Sequence, residues 1–249
     1  MYFADYPAYT HFAGWDVGGW NCEKNRRSRD AFVVLDALGR VVGRHKRGNF
    51  AVSIQNASCA AEWVQDIFLG SNCAESLSDG SHLLLAIDAP LGFPEALVKL
   101  AAGDCIANPL GEHGLNPYLF RYTEQRLYAM EVAKPLSAVK DMLGSQASKA
   151  MHMIARFKLD QVSKGVWQNL SGSPKLTVIE TYPGAIAAGK FTSALRAGIS
   201  EGELEGWHQD DIDALHCALV ARLFATERAR FCDPPSEAPR SEGWIWIPS

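Results

Sequence analysis

The chain has no C-x-x-C pair; its six cysteines, at 22, 59, 73, 105, 217 and 232, are scattered. That excludes a zinc knuckle and a thioredoxin-like motif, and leaves reduced thiols as the expected state. No apolar run approaches the roughly 20 residues that a bilayer span requires. The first residues, MYFADYPAYTHF, have neither the basic end nor the apolar centre of a secretory signal. These absences set the expectation of a soluble, cytoplasmic protein with no membrane partner. Also missing are the nucleophile elbow G-x-S-x-G and the Walker loop G-x-x-x-x-G-K-[ST]. The histidines at 11, 45, 82, 113, 152, 208 and 216 follow no zinc-binding spacing.

What is present is ordinary in amount and uneven in placement. At 249 residues and 47% hydrophobic, the chain can build one ordinary core, and it contains no internal repeat. The net charge of −4 hides a basic stretch. Lys24, Arg26, Arg27, Arg29, Arg40, Arg44, Lys46 and Arg47 face only Asp30 and Asp36, a local +6 that leaves −10 for the rest. Such a cluster suits phosphate contacts, and equally suits a solvated hairpin edge kept from aggregating by its cations.

Patterning predicts three strands of an antiparallel meander, FAGWDVGG, DAFVVLDALG with a turn at Leu38-Gly39, and RVVGRHKRG. A helix over 53–69 follows, with Ser53 as its cap. HLLLAIDAPLGFP is a continuous apolar run, the mark of a strand buried on both faces. Residues 94–172 read as a mainly helical insertion, with helices at 122–134 and 137–158. KLTVIETYPG restores a strand. HQDDIDALHCALVARLFATERARF is a long helix with Ile212, Leu215, Leu219 and Leu223 on its apolar side, and WIWIP closes the chain as a short strand.

Three strands end in an acid: Asp16, Asp88 and Glu180. Ionised carboxylates are costly in a dry interior, so their repetition at strand ends points to a shared polar crevice. Asp210 and Asp213 stand three apart and project from one face of the long helix, with Asp211 turned away. If that face meets the ends of the first and fourth strands, an oxygen-only cluster forms that suits Mg²⁺ or Mn²⁺. Each acid also has a plainer use. Asp210 and its neighbours favour a helix N-terminus, and Asp88 and Glu180 precede turn residues. Arg121 and Glu124 suit either a substrate phosphate or an ion pair along one helix.

The motifs GWDVGGWN, AIDAPLGFP, LFRYTEQ, IETYPGA, HQDDIDALHCAL and EGWIWIP, in this order, resemble the family called domain of unknown function 429. Its members are described as predicted nucleases of the ribonuclease H-like superfamily, and DDIDALHCA is similar to the D-x-x-D-A helix of RuvC-type resolvases. The resemblance implies one α/β domain over 1–249. Its sheet would be a mixed five-stranded one, meander plus parallel strands, flanked by helices. It also implies that Asp16, Asp88, Glu180, Asp210 and Asp213 are catalytic, the four aspartates as metal ligands and Glu180 as the family's strand-end acid. The expected activity is metal-dependent hydrolysis of a phosphodiester bond in a nucleic acid or nucleotide. Two other readings stay open. DVGG, with Gly18 and Gly19, suits the phosphate-binding turn of sugar kinases and actin-like ATPases; a noncatalytic scaffold that binds nucleic acid or protein is the other.

Overall fold

Side-chain alternation assigns the first strand two different faces. In β1 (His11–Asp16), Ala13 and Trp15 enter one apolar layer; Phe12 enters the other, and Gly14 and Asp16 share its parity. The computed structural model describes residues 8–104, 107–111, 115–131, 136–188 and 199–249. β2 (Asp30–Asp36) and β3 (Val41–Gly48) follow as an antiparallel meander, turned where Gly39 takes a φ of +84°. After α1 (Ala51–Asn56) and α2 (Ala60–Gly70), β4 (His82–Asp88) returns parallel to β1. Then come α3 (Glu95–Ala101), α4 (Tyr122–Ala129), α5 (Gly144–Arg156) and the hairpin β5 (Asp160–Ser163) and β6 (Val166–Asn169). β7 (Lys175–Glu180) runs parallel to β4, and α6 (Pro183–Ala188) and α7 (Gln209–Thr226) complete the order.

The sheet has seven strands in the order β3-β2-β1-β4-β7-β6-β5. Five were expected; the additional pair is the β5–β6 hairpin, which lies inside the segment read as helical and pairs antiparallel with β7. Its strands are four residues long, too short for a period to register. One core layer holds Trp15, Phe32, Trp63, Phe68, Leu85, Met153 and Val178, between the sheet and α1, α2 and α5. The other holds Phe12, Val33, Leu84, Ile179, Leu215, Phe224 and Trp246, beneath α7. The continuous apolar run of β4 is thus explained by cover on both faces.

Several boundaries depart from the sequence reading. The helix expected over 53–69 is two helices broken at residues 57–59, and Ser53 sits inside α1 with its hydroxyl donating to Asp66 at 2.5 Å. The helix expected to reach 134 stops at Ala129, and Glu131 takes a φ of +54°; residues 132–134, like Cys105 and His113, fall outside the described residues. The helix expected from 137 starts at Gly144. WIWIP forms only isolated bridges, Ile245 to Glu180 and Pro248 to Phe231. Among the described residues no helix is long and apolar enough to cross a membrane.

α7 approaches β1 most closely through small residues, while Leu215, Leu219 and Leu223 of the leucine row are buried in the same core layer. A Cβ on Gly14 would fall 1.8 Å from the carbonyl oxygen of Ala214 and 2.4 Å from the amide nitrogen of Ala218. Helix backbone therefore rests directly on β1. That approach is possible because Ala214, Cys217, Ala218 and Ala221 line the contact.

Candidate active site

Asp16 and Asp88 end two adjacent parallel strands and are register partners across them. Strands in a sheet lie about 4.8 Å apart and side chains of equal parity share a face, so both carboxylates rise together on the α7 side. They open into a cleft of about 200 Å³ that Glu180 also borders, with Ser28, Gln146 and Tyr182 among its other lining residues. Neither Asp16 nor Asp88 has a hydrogen-bond or ion-pair partner among the described residues. Burial first, and then the charges of Asp88, Asp210, Asp213 and Asp30, hold Asp16 well above the usual carboxylate range. Asp88 is pushed up to about 8, by burial and then by Asp213 and Glu180. Burial and Asp88 also push the Tyr182 phenol up.

The N-terminal turn of α7 divides its three acids among separate tasks. Asp213 stands near enough to Asp16 and Asp88 to raise both, and accepts a hydrogen bond from Gln209 at 3.0 Å. Asp210 is turned instead to the basic segment: it accepts from the Arg29 amide at 2.9 Å and pairs with the Arg47 guanidinium. Asp211 accepts from the His208 amide as a helix cap and pairs with Arg44 at 3.3 Å. Of the pair expected to share a metal, Asp213 lies near both strand-end acids, while Asp210 lies near enough to Asp16 to raise it and is also paired with Arg47 of β3.

Glu180 differs from Asp16 and Asp88 in parity. Its register partner is Ile87, whose side chain enters the opposite core layer. The Glu180 carboxylate takes both ends of the Arg121 guanidinium, at 2.5 and 2.9 Å, and the Leu91 amide at 2.9 Å. Arg121 also donates to Glu124 at 2.8 Å and to the Glu242 carbonyl at 2.9 Å, and is 1% exposed. Sequence reasoning paired Arg121 with Glu124 but missed Glu180 as their third member, and missed Glu242 altogether. The Glu242 carboxylate accepts from the first amides of both α3 and α4, Glu95 at 2.7 Å and Tyr122 at 2.5 Å. An acid at a helix N-terminus is favourable, and this one serves two. Its place in the breaker segment SEG carries no local signal of that role.

The DVGG turn is packed rather than open. A Cβ on Gly18 would fall 2.7 Å from the Cys22 sulfur, and one on Gly19 would fall 2.8 Å from the Ser145 hydroxyl. The Gly18 amide donates to Asp30 at 2.8 Å and the Trp20 amide to Ser145 at 2.9 Å. Beneath the turn the buried Lys149 ammonium pairs with Asp30 and donates to the Gly18 carbonyl at 3.3 Å and to Asn49 at 2.9 Å. Two of the amides that a phosphate-cradling turn would present are therefore already committed. The connection from Asp16 to β2 runs 13 residues and is pinned by this Lys149–Asp30 pair.

Every candidate ligand here is a carboxylate oxygen, the donor that Mg²⁺ and Mn²⁺ prefer. Among the described residues no three His, Cys, Asp or Glu side chains gather tightly enough to hold a metal by themselves. Mg²⁺ needs no such cage: it keeps several waters and takes one or two carboxylates together with substrate phosphate. Asp16 and Asp88, unpartnered and side by side, fit that demand. No family model, curated protein or solved structure matches the chain.

Proposed function

We propose that the chain is a Mg²⁺- or Mn²⁺-dependent phosphodiesterase of the ribonuclease H-like class, acting on a nucleic-acid phosphodiester bond. One observation carries the reading: two unpartnered carboxylates, Asp16 and Asp88, paired in register at the carboxyl ends of adjacent parallel strands and opening into one cleft. Such crevices are where open α/β sheets bind ligands. The arrangement of the central strands, with meander β1–β2–β3 beside parallel β4 and β7 and α7 over their ends, supports the fold assignment. The likeness to domain of unknown function 429 supports it from the motifs.

In this reading Asp16 and Asp88 hold the cation, and Asp213 adds negative potential from above. The bound cation supplies Lewis-acid polarisation of a phosphoryl oxygen and an activated water. Enclosure by Tyr182, Leu143 and Ile245 lowers the local dielectric and strengthens each charge contact within the cleft. Glu180 and Arg121 keep the cleft wall in place rather than meeting the substrate.

Single-stranded DNA, RNA, branched DNA and dinucleotides incubated with Mn²⁺ test the proposal. The wild type should cleave at least one of them, and Asp16→Asn should reduce that cleavage to background while its circular dichroism and melting stay native. Undiminished cleavage by Asp16→Asn overturns the assignment of the site. Cation binding without cleavage of any substrate favours the noncatalytic scaffold.

A further inference from the structure

The basic segment 24–47 is not one surface. Arg44 and Arg47 are tied to Asp211 and Asp210, Arg40 to Asp36, and the Arg29 guanidinium to the carbonyls of Glu23 and Asn25, both at 3.0 Å. Subtracting these leaves Lys24, Arg26, Arg27 and Lys46, all exposed and without an ion-pair partner among the described residues. Three of the four lie in the β1–β2 connection, and that connection reaches the cleft: Ser28, the residue after Arg27, lines it together with Asp16 and Asp88.

From this placement we propose that residues 24–28 form a phosphate track for a single-stranded polynucleotide whose reacting phosphate enters the Asp16–Asp88 cleft. The proposal rests on the phosphodiesterase reading and names its substrate. Three observations converge on it. First, the cleft of about 200 Å³ is smaller than the about 300–1,000 Å³ of pockets that enclose a drug-sized ligand. It takes a phosphate and part of a nucleoside, and leaves the neighbouring nucleotides outside, against the loop. A space of that size takes the phosphate of one strand at a time.

Second, the cleft offers a polyanion no free cation of its own. Its lining includes Asp16, Asp88 and Glu180, and the Arg121 guanidinium in its wall is spent on Glu180 and Glu124, so the attraction comes from cations at the rim. Consecutive Cα atoms are about 3.8 Å apart, so the Arg27 side chain starts one residue from the cleft wall and Arg26 two. Third, the loop is fixed before any ligand arrives. The Arg29 fork closes it on its own carbonyls, the Asn25 amide donates to Cys22 at 2.9 Å, and the Cys22 thiol donates to the Gly48 carbonyl at 3.2 Å. Cations on a preorganised loop lose little freedom when they take up phosphates.

Binding of a labelled single strand of about 12 nucleotides, followed by fluorescence anisotropy in EDTA across a salt series, tests the track without requiring metal or cleavage. The wild type should bind with a marked salt dependence. The variant K24A/R26A/R27A should bind more weakly, with the slope of log affinity against log salt reduced by about 2, since each lost phosphate contact on a single strand removes about 0.7. Lys158→Ala, which removes an exposed cation before the opposite edge strand, should leave the slope at the wild-type value. An unchanged slope in the triple variant overturns the proposal, as does tighter binding of the matching duplex or no binding by the wild type. Loss of binding in the triple variant alongside a wild type that cleaves nothing with Mn²⁺ upholds the track and rejects the phosphodiesterase.

Discussion

Asp88 carries an acid-base consequence that stability measurements can read. Folded, it titrates at about 8; unfolded, an aspartate titrates near about 4. Between those values the folded chain holds a proton that the unfolded chain has released, so this contribution to stability is fully present below about pH 4 and lost as the pH rises through about 8. Asp88→Asn cannot ionise. In EDTA at a pH above 8 it should melt higher than the wild type, by about 2–4 °C for each kcal/mol of relieved charge burial and repulsion. The advantage should shrink on acidification and vanish near pH 4. Thermal melts over a pH series check this, and a difference independent of pH would mean that Asp88 titrates alike in the folded and unfolded chains.

At the scale of elements, α7 and β1 are joined by the absence of one carbon atom. Gly14→Ala would drive a methyl group into the Ala214 carbonyl, 1.8 Å away, and backbone cannot rotate aside as a side chain does. The helix should move off the strand, at a cost of about 1–3 kcal/mol or more, and carry Asp213 away from Asp16 and Asp88. Urea denaturation would show the loss, and the pH dependence of melting would weaken because Asp213 raises both acids. Much at this scale was legible in the sequence. β1, β2, β3, β4 and β7 announce themselves by alternation or by unbroken apolar runs, and α7 by its length. The strand-end acids were visible too, but the parity that separates Glu180 from Asp16 and Asp88 emerges only from the pairing register. The β5–β6 hairpin was too short to register, and the α1–α2 break at 57–59 interrupts an apolar spacing that runs on through both helices. Helical spacing told which face Asp210 occupies, but not that Arg47 also pairs with it there.

Across the whole molecule, two buried ion clusters bind the middle third of the chain to the sheet. Arg121, ahead of α4, meets Glu180 on β7, and Lys149 on α5 meets Asp30 on β2. Lys149 and Asp30 are both fully buried. Burial pushes Asp30 up from the ordinary carboxylate value, with Lys149 opposing the rise. Lys149→Met leaves that acid without its cation, which should cost about 3–5 kcal/mol. Adding Asp30→Asn should recover part of the loss, since a neutral amide is less costly to bury than an unpaired charge. Chemical denaturation of both variants gives the comparison, and equal stability of Lys149→Met and wild type would show the pair to be incidental. The links to the sheet have no local signature, because Arg121 and Glu180 stand 59 positions apart and Lys149 and Asp30 stand 119 apart. The cleft walls themselves draw on side chains from Asp16 to Ile245, and the Arg121 wall is held from Glu242. A chain still being synthesised therefore carries Asp16 and Asp88 long before it has a cleft around them, and the cleft is closed only once residues beyond 240 have emerged.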